Sequence, residues 1–376
     1  MSNLSGASLT PEVPDVSINT SGCLLFYDNK FNLNLCEDTM KLFQRLLVAP
    51  AALGLMAPVA VNADTAFSST TTLGGSAFFT VGSVADGGTD DKSEELYMQY
   101  KYVLSMKSSF SGEDLLVTGI KAGNASGPLA SMDSAYGGGA DLAVKDLFYS
   151  FPVGDLEVTA GPLVDQDDVV AATTSAYSDA FRLGSMPYSL AGSETGPGIG
   201  VAYSNDSGVV ASASFVSVGG ADSTVGIGGD NGDDVTTVTL GYNGDGFGGG
   251  LVIASNDGEA GTTGYDTFGG GIYYSPESIP ATISVAYDTK DPEGTAKDET
   301  DFFVGVDYEV GPGTLSAAYN STDVDGSDTF DRTGFEVSYT YAVNDSVTIT
   351  PGFFTVEDTG AGDDDSGVVV ETVFSF

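Results

Sequence analysis

The chain has no histidine and no tryptophan, and only two cysteines among its 376 residues. Without imidazole, a Ser-His-Asp triad and its relatives have no general base. Cys23 and Cys36 both precede a segment that reads as a cleaved signal, so the mature chain keeps no thiol for a disulfide. Zinc and iron sites built on histidine and thiolate are therefore not expected, and no metal ligand or cofactor is assigned. Positive charge is scarce as well. Twelve lysines and arginines stand against 53 aspartates and glutamates, for a net charge of −41. Nucleic acid is excluded as a partner, because its phosphates need basic residues. Such acidity suits cation attraction, divalent binding or a high-salt habitat. After residue 64 no apolar run reaches the roughly 18–20 residues that a spanning helix needs.

Glycine is abundant, at 51 residues, and Tyr and Phe number 18 and 21. Mean hydropathy is +0.06, which on its own looks like a water-soluble chain. A membrane barrel averages to the same value, because its lipid-facing and water-facing residues alternate.

From Met40 the sequence runs MKLFQRLLVAPAALGLMAPVAVNADT. Lys41 and Arg45 form a basic start, Leu46 to Ala60 an apolar stretch, and Val61-Asn62-Ala63 a small-residue cleavage site. This pattern predicts a secretory signal over 40–63. A signal forty residues into a chain points to translation from Met40, with 1–39 an over-extended gene model or a disordered polar extension. The folded domain is then 64–376. Three basic and five acidic residues lie upstream of it, so the mature chain keeps a net charge of −39.

From Thr72 onward apolar and polar residues alternate, as in strands with one apolar face. Phe335, Val337, Tyr339 and Tyr341 share one face, with Gly334, Glu336, Ser338 and Thr340 on the other. Sixteen such runs are expected, at 72–81, 95–110, 115–122, 143–151, 156–162, 196–203, 209–218 and 235–242, and then at 247–255, 267–274, 281–287, 301–310, 314–320, 333–342, 346–356 and 368–376. Seven gaps between them are short and rich in Gly, Asn, Asp and Pro, which tight hairpins require. Eight are long and polar, and they alternate strictly with the short ones. That alternation puts tight turns at one end of a sheet and long loops at the other, as in outer-membrane barrels. The last run, with Val368, Val370, Thr372, Phe374 and Phe376 on one face, suits a closing strand that pairs with the first.

One passage keeps no period. Leu163 to Thr195 is too long to be a structureless connection unless it is functional, and it is expected to fold into the lumen. On the water-facing parity of the strands lie Asp146, Glu157, Asp307, Glu309, Glu336 and Glu371, against Lys101, Lys107 and Lys121. Lys145 falls on the other parity. The Gly/Asp stretch 219–234 invites a calcium reading but has neither a nonapeptide repeat nor EF-hand spacing, which favours a solvated loop. AYGGGAD (135–141) is phosphate-loop-like only in its glycines, and no lysine-serine pair follows. Carboxylate pairs are plentiful, yet nothing specific marks a glycosidase site.

The segments SSFSGEDLLVTGIKAGN (108–124) and SAYGGGADLAVKDLFYSFPVGDLEVTAGPLVDQDD (134–168), with the signal, resemble cyanobacterial outer-membrane porins. That family is described as iron-uptake or OprB-like carbohydrate-selective porins. The resemblance is strong over about 96–203 and architectural beyond. It implies an all-β fold, a sixteen-stranded antiparallel transmembrane barrel with long outer loops and an inward third loop. It further implies an outer-membrane location, a homotrimer, and passive diffusion of small hydrophilic solutes and ions, inorganic iron or other nutrients among them. Only Asp64 to Thr71 separate signal and barrel, so the surface-layer-homology domain of many relatives is missing, and with it their anchoring function. Relatives carry arginines in 115–168 where this chain has Val117, Gly119, Asp146, Ser150, Leu163 and Asp165, so an anion preference does not transfer. By the porin pattern the third loop forms the constriction, here with Asp165, Asp167, Asp168, Asp179 and Glu194 against Arg182. A weakly cation-selective, non-enzymatic pore is expected. The competing readings are a secreted acidic β-protein of a salt-adapted organism and an outer-membrane receptor or adhesin.

Overall fold

A computed structural model describes residues 15–18, 24–28, 31–33, 70–86, 95–178, 181, 194–229, 232–258, 263–326, 331–358 and 364–376. The chain divides into two units, Met1–Ala60 and Val61–Phe376. In the first, β1 (Asp15–Ile18), β2 (Leu24–Asp28) and β3 (Phe31–Leu33) form a three-stranded antiparallel sheet. The signal expected over 40–63 lies outside the described residues.

The second unit is a closed antiparallel barrel. Its first eight strands are β4 (Thr71–Asp86), β5 (Tyr97–Ser108), β6 (Leu115–Gly123), β7 (Gly139–Val153), β8 (Leu156–Asp165), β9 (Thr195–Ser204), β10 (Val209–Ser217) and β11 (Asp234–Gly244). The rest are β12 (Phe247–Asn256), β13 (Tyr265–Tyr274), β14 (Ala281–Pro292), β15 (Glu299–Val310), β16 (Gly313–Val324), β17 (Arg332–Asn344), β18 (Val347–Asp358) and β19 (Asp365–Ser375). Each of the sixteen expected runs is one of these strands. Closure follows from β19 pairing with β4 over Asp365↔Asp86 to Ser375↔Ser76. Gly75 and Phe376 then exchange two backbone hydrogen bonds, 2.8 and 3.0 Å long. No edge remains to template pairing with another chain.

Faces follow the two-residue period. Leu240, Leu251, Ile272, Ile283, Leu315 and Phe335 point outward and are 40–66% exposed, whereas Thr239, Ser284, Ser316 and Glu336 point inward and are at most 2% exposed. Outward aromatics flank the tight turns, as at Tyr242, Phe247, Tyr274 and Tyr341, and recur toward the long-loop half at Phe268, Phe302 and Phe335. Tyr242 stacks on Phe247 at 5.3 Å across one turn, and Tyr149 on Phe151 at 5.4 Å beside another. An apolar outer face with interfacial aromatics is what lipid requires of a barrel.

The turns explain themselves locally. In the connection after β5, Asp114 accepts from Ser109 Oγ and from the backbone N–H of Phe110 and Ser111, and Tyr149 donates to its other oxygen. These bonds hold its carboxyl well below the ordinary carboxylate range. Gly112, Gly154, Gly246 and Gly311 sit in tight connections with positive φ, a backbone that only glycine adopts without strain. Lys145 leaves the strand alternation altogether. Gly119 pairs with Asp146 and Ile120 with Val144, so Lys145 is the extra residue of a bulge, and its ammonium lies 5.6 Å from the Tyr136 ring.

Candidate functional site

The third long connection begins where β8 ends. Asp165 caps a short 3-10 turn, Gln166–Val169, in a capping box with Asp168. The backbone N–H of Gln166 donates to Glu194 O at 2.9 Å, and Thr195 Oγ1 donates to Asp165 at 3.0 Å, so the two ends of the loop are tied together. Over 166–178 the chain runs along the inside of the wall. Gln166 Nε2 donates to Thr237 on β11, and the N–H of Ala171 to Ser212 on β10. The N–H of Ala176 donates to Ser284 on β14. Ser178 bonds Asp307 on β15 through both its N–H and its hydroxyl, at 2.9 and 2.7 Å, and its hydroxyl also lies 2.9 Å from that of Ser316 on β16. Tyr177 donates to Glu336 on β17 at 2.7 Å, and its ring lies 5.4 Å from that of Phe303.

Glycine makes the room for this path. On the inward parity of six strands stand Gly200, Gly241, Gly250, Gly271, Gly305 and Gly352. A Cβ at Gly200 would come 2.5 Å from Val169, at Gly241 and Gly250 2.9 and 2.7 Å from Ala172, and at Gly305 2.6 Å from Tyr177. At Gly271 it would strike the carbonyl of Thr174, and at Gly352 the ring of Phe181. From Ala171 on β10 to Phe181 on β18 the loop passes eight strand spacings, about 38 Å along the wall. Roughly ten residues of chain span at most about 36 Å. Only a path on the concave side, where the radius is smaller, closes that distance.

The second long connection also turns inward, which the sequence reading did not foresee. Leu129 and Met132 are buried with Phe181, Phe354, Val84, Val356 and Val369. Leu129 accepts from Gln99 Nε2 and donates its N–H to Tyr97, both at 2.8 Å. Ser134 donates to Glu371, and the N–H of Asp133 donates to Phe181 O at 2.7 Å. The two loops therefore meet on the wall of β4, β18 and β19. The signal in the sequence was a pair of apolar residues, Leu129 and Met132, in an otherwise small and polar loop.

The charged residues singled out from the sequence fall into three groups. Asp307, Glu336 and Glu371 are acceptors for the inward loops. Lys121 and Asp146 form an ion pair at 3.4 Å, and Lys101 packs 4.4 Å over the ring of Phe78. Lys107, Glu157 and Glu309 are exposed, close to the tight-turn end of their strands. Asp179 and Arg182 lie outside the described residues.

Asp165, Asp167 and Asp168 come together at the root of the loop, facing Asp133, Asp146 and Lys121. The protein wrapped around Asp167 thins its water and pushes its carboxyl up to about 7, with Asp165, Asp168 and Asp133 adding repulsion. Asp168 rises to about 6 for the same first reason; the N–H of Asp165 and the charge of Lys121 hold it back. Both residues are nonetheless open to solvent, as carboxylates lining a water-filled passage are. Glu194 is raised by burial and then by Asp233 and Asp165, against the opposing charge of Lys290.

No protein-family model matches the chain, and no curated protein matches it. Among solved structures, OprB of Pseudomonas putida superposes with a TM-score of 0.62 at 10% identity, over 82% of this chain and 94% of that one. The anion-selective porin from Comamonas acidovorans gives 0.56 at 13% identity, over 82% and 99%. A variant of the Rh. blastica porin gives 0.55 at 15% identity, over 81% and 100%. At such identities the likeness is one of fold: this chain has the closed antiparallel barrel of bacterial porins.

Proposed function

We propose that the protein is an outer-membrane porin, a passive conduit for small hydrophilic solutes and ions with a weak preference for cations. One observation carries the reading. The third connection crosses the inside of a closed barrel and sets Asp165, Asp167 and Asp168 opposite Asp133 of the second connection and Asp146 and Lys121 of the wall. The apolar outer face supports membrane insertion, and the fold likeness to porins supports diffusion over catalysis. Carboxylates lining a narrow passage favour cations, because low-dielectric walls focus their field. In this reading Asp179, Arg182 and Glu194 complete the constriction, Lys101, Lys107 and Lys121 are its counter-charges, and the natural form is a homotrimer in outer-membrane lipid. The solutes are small nutrients, inorganic iron among them. Residues 40–63 are a signal removed on export, and residues 1–39 are not part of the mature protein.

The chain purified from membranes is expected to give discrete conductance steps in a planar bilayer, with a reversal potential on the cation side. That selectivity weakens as the Debye length falls from about 10 Å at 0.1 M salt to about 3 Å at 1 M. Replacing Asp165, Asp167 and Asp168 with asparagine should move the reversal potential toward neutrality with the barrel intact. An anion-selective wild type, or a triple variant indistinguishable from it, overturns the assignment.

A further inference from the structure

The fifth tight connection, 275–280, is one of the two longest and carries Pro276 and Pro280. Each proline fixes its own backbone angle. The N–H of Ile279 donates to Pro276 O at 3.1 Å, and that of Ala281 to Ile279 O at 2.7 Å. The N–H of Glu309 donates to Pro280 O at 2.8 Å, which ties the turn to the end of β15. Between this turn and Ser178 of the third connection lies a cavity of about 640 Å³. Its wall is the inner face of β14 to β17. Thr282 is the register partner of Asp307, Glu309 of Thr314, and Thr314 of Thr340. These five residues share the inward parity, stand side by side on consecutive strands and line one space.

Three kinds of surface meet in this cavity. The first is acidic. The Asp307 carboxylate is already taken, accepting from Ser178 and Ser316. Glu277 and Glu309 make no side-chain hydrogen bond or ion pair among the described residues, and the lining holds no lysine or arginine. The second is hydroxylic. The hydroxyls of Ser275 and Thr282 lie 2.7 Å apart, and that of Thr314 makes no hydrogen bond among the described residues. The third is apolar, from Pro276, Ile279 and Pro280. Carboxylates with no basic neighbour favour a positively charged guest. Hydroxyls, which both donate and accept, favour a guest with hydroxyls of its own. The apolar side favours a carbon skeleton over a bare ion, and no carboxylate cluster among the described residues is built to hold a metal.

We propose that this cavity is a holding site for small hydroxylated ammonium ions, between the constriction and the tight-turn mouth. The ammonium meets Glu309 and Glu277, the hydroxyls meet Thr314 and the Ser275–Thr282 pair, and the skeleton lies along Pro276 and Ile279. Ion pairs open to water contribute little, so the guest is held weakly. Weak holding suits a channel, which must release what it binds. The guest's route rests on the porin reading, but binding itself needs no conduction.

The test is a ligand-observed NMR titration of the full chain in detergent with serinol, a three-carbon ammonium diol. Glycerol keeps that skeleton with a hydroxyl in place of the ammonium, and isopropylamine keeps the ammonium without the hydroxyls. Serinol should bind at least about threefold more tightly than either. Glu309→Gln should weaken serinol at least about threefold, and Thr314→Val should narrow its margin over isopropylamine. Asp206→Asn, in another tight turn, should change neither. Heat-modifiable gel migration reports that each variant keeps its barrel; Thr314→Val carries the test if Glu309→Gln does not assemble. Equal affinity for the three compounds, or serinol binding that Glu309→Gln and Thr314→Val leave unchanged, overturns the proposal. Serinol binding by a chain that passes no current would sink the porin reading alone, and current without serinol binding would sink the holding site alone.

Discussion

At the scale of single residues, inward carboxylates divide between holding loops and facing the passage. Asp307, Glu336 and Glu371 are acceptors for Ser178, Tyr177 and Ser134, so their charge is spent on docking. Asp167 and Asp168 have no such partners among strand side chains and titrate near physiological pH, at about 7 and about 6. Both values are raised, so each group is ionised above its value and neutral below it. Between pH 8 and pH 5 the constriction therefore loses up to two negative charges, and cation preference should fall with acidification. Reversal potentials across that range measure it, and the double variant Asp167→Asn, Asp168→Asn should give a flat profile. Linkage runs the same way: the folded state holds these protons more tightly than the unfolded chain, so their contribution to stability falls as pH rises from about 4 to about 7. The strand alternation put nine of the strand charges on one expected parity and Lys145 on the other. Which of them meet a loop was not legible, because the path of a loop has no period to read.

At the scale of elements, the strands were legible where one face is apolar and the other wet. The run expected at 72–81 continues as a strand to Asp86, and those expected to end at Tyr287 and Asn320 reach Pro292 and Val324. These extensions lie toward the long-loop end, where both faces are polar and the alternation vanishes although the ladder continues. The expected long gaps at 288–300 and 321–332 shrink accordingly to 293–298 and 325–331. The inner-wall glycines could have been noticed, since glycine recurs on the polar parity of strand after strand, but only the loop gives them meaning. Gly271→Val tests that meaning. Valine favours a strand, so the ladder should hold. Its side chain would occupy the place of the Thr174 carbonyl and push the loop off the wall. Single-channel recordings should show an altered conductance and a weaker cation preference, with heat-modifiable migration unchanged.

At the scale of the molecule, alternating turns and loops distinguish the two ends of the barrel, and the long-loop end is expected to face the medium. Cysteines introduced as Ser327→Cys and Ser366→Cys, in and beside long loops, should react with an impermeant label on whole cells. Asn243→Cys and Asn344→Cys, at the tight turns, should stay silent; the reverse pattern inverts the topology. N-terminal sequencing of the membrane form should begin near Asp64, and recovery of Met1 to Thr39 would contradict the processing scheme. The wall and its inner loop together also set the bore. The docking track of the third loop is assembled from residues of β9 through β18, each contributing a glycine, a serine or an acceptor at the correct height. No part of that track exists as a surface until those strands stand in register. The loop's full set of contacts therefore depends on strands β9 to β18 standing together in register. Without those contacts the same sixteen strands would enclose a wider, unlined cylinder, so the bore of this barrel is set by its third loop as much as by its strand number.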